Sequence, residues 1–332
     1  MNKKIIGIAG LFLVLLVGLY FLLEPKAKKN LKIDVSAVDK NVTIAHFDDA
    51  FFTTDTIHFN QELKRLQKSY APFFNAGEDE SFWLNQRKQK NQINLYKDWK
   101  QQKPNYTQFD SELTDAFKHL YFYYPEFPQI TAFTYISNLD FDYPVLLADK
   151  FLFFAVDMYL GKNHPAYQQE SNYLNYYRQA EFLVPDGMEQ FALNLAAKDL
   201  DDNTLLNDMI WWGKVAYFKN AMQPEANDTI VARMSSNHLN FCRQNEINIW
   251  TFFIDNKLLF ETNDQLKRKF ISPAPFSKFG MPFDNETPGM IGRWLGLRIV
   301  QSYMQNNPEI TLQNLMANKD AKLIFKNSKY KP

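Results

Sequence analysis

Residues 273–304, PAPFSKFGMPFDNETPGMIGRWLGLRIVQSYM, constrain the fold more than any other stretch. A Pro-broken loop leads into a helix. Thr287 fits the N-cap and Pro288 the first helical position, where a missing N–H costs nothing. Asp284 and Glu286 precede that end, which the helix dipole favours for acids. Gly292 and Gly296 stand one turn apart on one face, each costing about 1 kcal/mol relative to Ala. Close approach of another backbone offsets such a cost, and Ile299 and Tyr303 continue that face. Met290, Ile291, Trp294, Leu295, Leu297 and Val300 make the segment apolar nearly all round, the pattern of a buried helix. Arg293 and Arg298 lie among them, and buried arginines need partners.

The N-terminus is of another kind. Residues 5–23, IIGIAGLFLVLLVGLYFLL, are apolar throughout and as a helix would rise roughly 28 Å, one hydrocarbon thickness. Lys3 and Lys4 precede the run, Glu24 ends it, and Pro25-Lys26-Ala27 is a poor cleavage site. The expectation is an uncleaved signal anchor, with a cleaved signal as the alternative. Lys26, Lys28 and Lys29 leave the charge count undecided. The short N-terminal tail favours N-in, with the remainder exported. The only cysteine, Cys242, is far from the run, so no intrachain disulfide and no standard acylation cysteine exist in this sequence. Residues 1–30 therefore read as anchor and basic linker, and residues 31–332 as a periplasmic domain. Outer-membrane association stays open.

Formal net charge is zero, which gives no reason to expect a nucleic-acid partner. Alternation at 32–35 suggests a strand, and 43–52 a second one broken by Asp48-Asp49. Helical spacing runs from 56 to 122. The β-branched and aromatic runs 130–136, 143–148 and 151–156 predict a small sheet at the centre of the chain. A turn at 161–165 follows. Helices are then expected at 187–197, 205–221, 238–253, 264–270, 311–316 and 320–325. No repeat or low-complexity linker interrupts them. One helix-rich α+β domain with a small central sheet is the simplest reading.

Standard chemistry is scarce. The five histidines include no i, i+4 pair, and H-E-x-x-H, G-x-S-x-G, a P-loop and G-x-G-x-x-G are all absent. Cys242, in an aromatic-rich segment, reads as a small core residue. Five residues are candidates for a cleft or interaction site. Asp157 follows an apolar strand and reads first as a turn former. His164 sits in the turn. Glu189, after a Pro-Asp-Gly turn, reads as a first-turn helix acid. Arg293 and Trp294 come from the glycine-bearing helix. No catalytic residue, metal ligand or cofactor is assigned.

Several stretches carry a resemblance: PFFNAGEDESFW, YFYYPEFPQITAFTYI, DYPVLLADKFLFFAVDMYLG, NEINIWTFFIDNKLLF, PFSKFGMPFDNETPGMIGRWLGLRIVQSYM and DAKLIFKNSKYKP. Spread from about residue 33 to the C-terminus, they resemble the gliding motility lipoprotein GldB family. The resemblance implies an envelope-anchored component of surface gliding, linked to type IX secretion, whose partners are other motility or secretion proteins. It supplies no catalytic residues, and the missing acylation cysteine departs from the lipoprotein pattern. A second resemblance is to predicted zinc peptidases of zincin-like fold. There the helix matching Met188-Glu189-Gln190-Phe191-Ala192 would carry H-E-x-x-H. Met188 and Ala192 occupy both histidine places, which implies a scaffold that has lost its metal. The rival expectations are an envelope zinc hydrolase with atypical ligands, starting from Asp157, His164 and Glu189, and an aromatic-platform sugar binder.

Overall fold

The computed structural model describes residues 31–74, 76–103 and 105–332; the apolar run at 5–23 lies outside them. Among the described residues no helix is long and apolar enough to cross a membrane. The chain enters through strand β1 (Thr43–His46) and helices α1 (Phe47–Phe52), α2 (Phe59–Ser69), α3 (Glu80–Lys88), α4 (Lys90–Gln102) and α5 (Thr107–Tyr123). Strands β2 (Thr131–Tyr135), β3 (Val145–Ala148) and β4 (Phe151–Ala155) follow, then α6 (Asn172–Asn175), α7 (Leu183–Leu195), α8 (Leu205–Met222) and α9 (Asp228–Ala232). The chain closes with α10 (Ser236–Gln244), α11 (Glu246–Asp255), α12 (Asp264–Phe270), α13 (Ile291–Asn306), α14 (Leu312–Ala317) and α15 (Ala321–Ser328). This is a helix-rich α+β domain with one small sheet.

The sheet order is β1-β2-β4-β3, with β3 antiparallel to β4 and the other pairs parallel. Alternation gives each face a distinct covering. Phe133 and Phe153 stack on one face, and Phe73 packs edge-on against both. Leu152 and Phe154 point to the other face, where α7 approaches so closely that a Cβ on Gly187 would stand 2.7 Å from the Phe154 ring. Pro185, Asp186 and Gly187 are therefore not the expected turn. They lie in the first turns of α7, where Pro185 sacrifices only an orphan N–H and Gly187 makes room for Phe154.

Helices α8 and α13 form the middle of the core. Both glycines of α13 lie under other backbones, as expected. A Cβ on Gly296 would be 1.8 Å from the Met209 carbonyl oxygen of α8, and one on Gly213 of α8 would be 2.3 Å from the Gly296 oxygen. Gly292 faces the end of α12, with the Phe270 oxygen at 2.9 Å. Ile299 and Tyr303 are buried on the same helix.

Four local expectations are corrected. The glycine helix begins at Ile291, not at Pro288. Thr287 instead donates from its hydroxyl to the Ser277 and Asp284 carbonyls, and the Asp284 carboxylate accepts from the N–H groups of Phe279, Gly280 and Met281. These side chains are committed to the loop, so they are not available as a helix cap. Residues 32–35 form no strand. The 43–52 segment is a strand only to His46, because Asp48 turns inward to accept from Thr134 and Tyr106, and Tyr96 and Lys100 donate to Asp49. The expected helix at 238–253 is two helices, broken at Asn245, whose side chain turns back to the Phe241 carbonyl. Cys242 is buried beside Met234, a core residue as expected.

Candidate functional site

Five charged side chains, Asp186, Glu189, Lys219, Arg233 and Arg293, gather where α7, α8, the residue after α9 and the start of α13 meet. Asp186 and Glu189 are one turn apart on α7, the spacing that puts two side chains on one face. Glu189 lies in the second turn of the helix, not the first, so its partners are side chains and not the helix end. Lys219 of α8 donates to its carboxylate. Arg233 donates to Asp186 and reaches Glu189 at 3.5 Å. Tyr159 adds a hydroxyl to Asp186 at 2.9 Å. Burial alone would raise the Glu189 carboxyl, but Lys219 and Arg233 outweigh it and hold the group down to about 2.

Arg233 has a left-handed backbone with φ of 50°, a conformation non-glycine residues rarely adopt. Its surroundings fix it there. Tyr177 donates to its carbonyl at 3.0 Å, and the guanidinium lies over the Tyr177 ring, 4.5 Å from the centroid. The left-handed residue ends α9, and these contacts hold its side chain toward the cluster.

Arg293 completes the cluster. Its Nε donates to the Ile271 carbonyl at 2.7 Å, and its guanidinium carbon lies 3.4 Å from the centroid of the Trp212 ring. Burial pushes it down to about 10. Trp294, the next residue, is buried and lines the same small cavity as Arg293, Glu189, Lys219 and Arg233. Three of the five candidates from the sequence, Glu189, Arg293 and Trp294, are thus brought together.

The other two serve elsewhere. Asp157 is fully buried and its carboxylate accepts from the Ser137 N–H and hydroxyl and from the Leu139 N–H at 2.7 Å. Asn138 and Leu139 both have positive φ, so Asp157 holds a strained loop rather than lining a cleft. His164 accepts the Ala166 N–H on Nδ1 and faces Asp98 with Nε2 at 3.4 Å, which closes the turn before Tyr167. Asp157, His164 and Glu189 therefore face different partners. Among the described residues no group of three or more His, Cys, Asp or Glu is placed to hold a metal ion.

Sequence reasoning missed Lys219 and Arg233. Lys219 did leave a signal, since with Lys214 it interrupts the largely apolar second half of α8, the same pattern that marked Arg293. Arg233 left none, because its left-handed turn is invisible in the residue types around it.

A larger pocket, of about 550 Å³, opens between α5 and the segment leading into α7. Trp99, Tyr106 and Phe109 line it, with Glu112, Asp115 and Glu181 also at its wall.

No curated protein and no solved structure matches the chain. A family model does, that of the gliding motility protein GldB, and it spans residues 28–332. Nearly all of the sequence, including every residue of the cluster, is covered by that match, and the chain belongs to the GldB family of gliding motility proteins.

Proposed function

We propose that the chain is a non-enzymatic envelope component of the gliding machinery, linked to type IX secretion, that holds a protein partner on a degenerate peptidase-like scaffold. Family membership supports the motility role. One observation supports the non-enzymatic part of the reading. At the helix positions where a zinc peptidase would carry histidines, Met188 and Ala192 are wholly buried, and Glu189 between them is neutralised by Lys219 and Arg233. Zinc hydrolysis needs three protein ligands, an open water position and an acid free to move a proton. Neither buried side chain is a ligand, and the acid is committed to two cations. The pocket of about 550 Å³ with Trp99, Tyr106 and Phe109 on its wall supports a place for a partner segment, since it is concave and partly aromatic. The apolar run at 5–23 supports an anchor in the cytoplasmic membrane with the domain in the periplasm.

Deletion of the gene should abolish colony spreading, and the wild-type gene should restore it. Normal spreading of the deletion strain overturns the motility role. Metal analysis of the purified chain tests the non-enzymatic half independently. Zinc that survives dialysis at one ion per chain would favour the hydrolase reading instead.

A further inference from the structure

The cluster around α7 does not balance. Two carboxylates, Asp186 and Glu189, face three cations, Lys219, Arg233 and Arg293. Both carboxylates are already taken: Asp186 by Arg233, and Glu189 by Lys219 with Arg233 at 3.5 Å. Among the described residues Arg293 has no carboxylate within salt-bridge reach. Its Nε goes to the Ile271 carbonyl and its flat face to Trp212. A guanidinium held in that way keeps two terminal nitrogens for other use, and its plane is fixed in advance.

Beside it is a cavity of about 30 Å³, lined by Arg293, Glu189, Lys219, Arg233, Trp212 and Trp294 among others. One water needs about 10–15 Å³ by this measure, so the space suits two or three small polar atoms. The walls contributed by Trp212, Trp294 and Met290 are largely apolar, which strengthens any charge pairing inside. A phosphate is too large and too highly charged for a space that Glu189 also lines. A single surplus positive charge suits a monoanion, and a guanidinium fork suits the two oxygens of a carboxylate.

We propose that this cavity is a monocarboxylate-binding site, in which a ligand's carboxylate seats on the two terminal nitrogens of Arg293 against Trp212. The group comes either from a small free acid or from the C-terminal end of a peptide. The inference does not depend on the motility reading, since it is tested on the purified chain and not by spreading.

The full chain in detergent micelles is titrated with acetate, with a short peptide bearing a free C-terminus, and with the same peptide as its C-terminal amide. Tryptophan fluorescence is read, because Trp212 and Trp294 both line the cavity. Saturable change with acetate alone supports a small-acid site, and change with the peptide acid supports a chain-end site. Arg293→Gln should weaken either by about tenfold or more, the scale of a lost charge-assisted pair. Should Arg293→Gln fail to fold by circular dichroism, Arg293→Lys keeps the charge but loses the fork, and weaker binding is again expected. The amide comparison needs no variant at all. No saturable change up to tens of millimolar overturns the proposal. So does an amide that binds as well as the acid, or a folded Arg293→Gln chain that binds as tightly as wild type.

Discussion

Lys214 is buried on α8, and among the described residues no carboxylate is within ion-pair reach of its ammonium. It donates to three backbone carbonyls, those of Ala197, Met316 and Asn318, and so ties the end of α7 and the end of α14 to the middle of α8. Lys214→Met removes the donor and leaves the Ala197 and Asn318 carbonyls without it in a dry place, while the Met316 carbonyl keeps the Ala197 N–H. It should cost about 1–3 kcal/mol in a denaturant melt, the penalty of an orphaned buried polar group. An unchanged midpoint would mean that water replaces the ammonium. Glu189 gives a second residue-scale prediction, one that depends on pH. Its carboxyl is held down to about 2 in the folded chain against an ordinary value near 4.5. The unfolded chain therefore binds more protons in that window, and stability from this group is present above about pH 4.5 and lost as pH falls toward 2. In Glu189→Gln the acid limb of a stability-against-pH curve should be flatter over that range than in wild type. Curves of equal slope would show that the carboxylate is not held by Lys219 and Arg233.

At the scale of elements, the α8–α13 contact is made by backbones. Gly296→Ala gains up to about 1 kcal/mol in helix propensity, but the new methyl meets the Met209 carbonyl, which cannot rotate away. The two helices must move apart, and overpacking of that kind costs about 1–3 kcal/mol. The variant should melt below wild type, and a higher melting temperature would show that the helices separate freely. Helix glycines without a turn signal thus announced this contact from the sequence alone. Helices with clear apolar period were equally legible, and α12 was placed to the residue. Other elements were not, for identifiable reasons. Asp48 and Asp49 look like an interruption in a strand. What stops β1 is a set of distant donors, Thr134, Tyr106, Tyr96 and Lys100, that no local pattern reveals. Thr287-Pro288 has the residues of a helix start, but a tertiary hydrogen bond to Ser277 claims the threonine. The candidate site was legible on its α7 and α13 sides and illegible at Arg233, where the backbone, not the residue type, carries the information.

On the scale of the whole molecule, burial is uneven. The main core runs continuously through α5, the sheet, α7, α8 and α13. A second, smaller core is built mostly from aromatic rings before the central sheet: Phe47, Phe51, Phe52 and Phe59 with Leu63 and Leu66, capped by Phe73, Phe74 and Trp83. The two cores meet at the half-buried Tyr135, the last residue of β2, and Ile136 just beyond it. Helix α3 buries none of its residues, and among the described residues the enclosed ring nitrogen of its Trp83 has no hydrogen-bond partner. Local opening follows the density of buried apolar contacts, so this corner should open at lower free energy than the rest. Native-state hydrogen exchange should therefore show the amides of α3 exchanging first, those of α2 next, and those of α8 and α13 only with global unfolding. The order matters because α1 connects the smaller core to β1, and opening that stopped at α2 would leave the sheet and the α7 cluster intact. If α3 proves as protected as α8, the two cores open as one unit, and the small core is then part of the same cooperative structure.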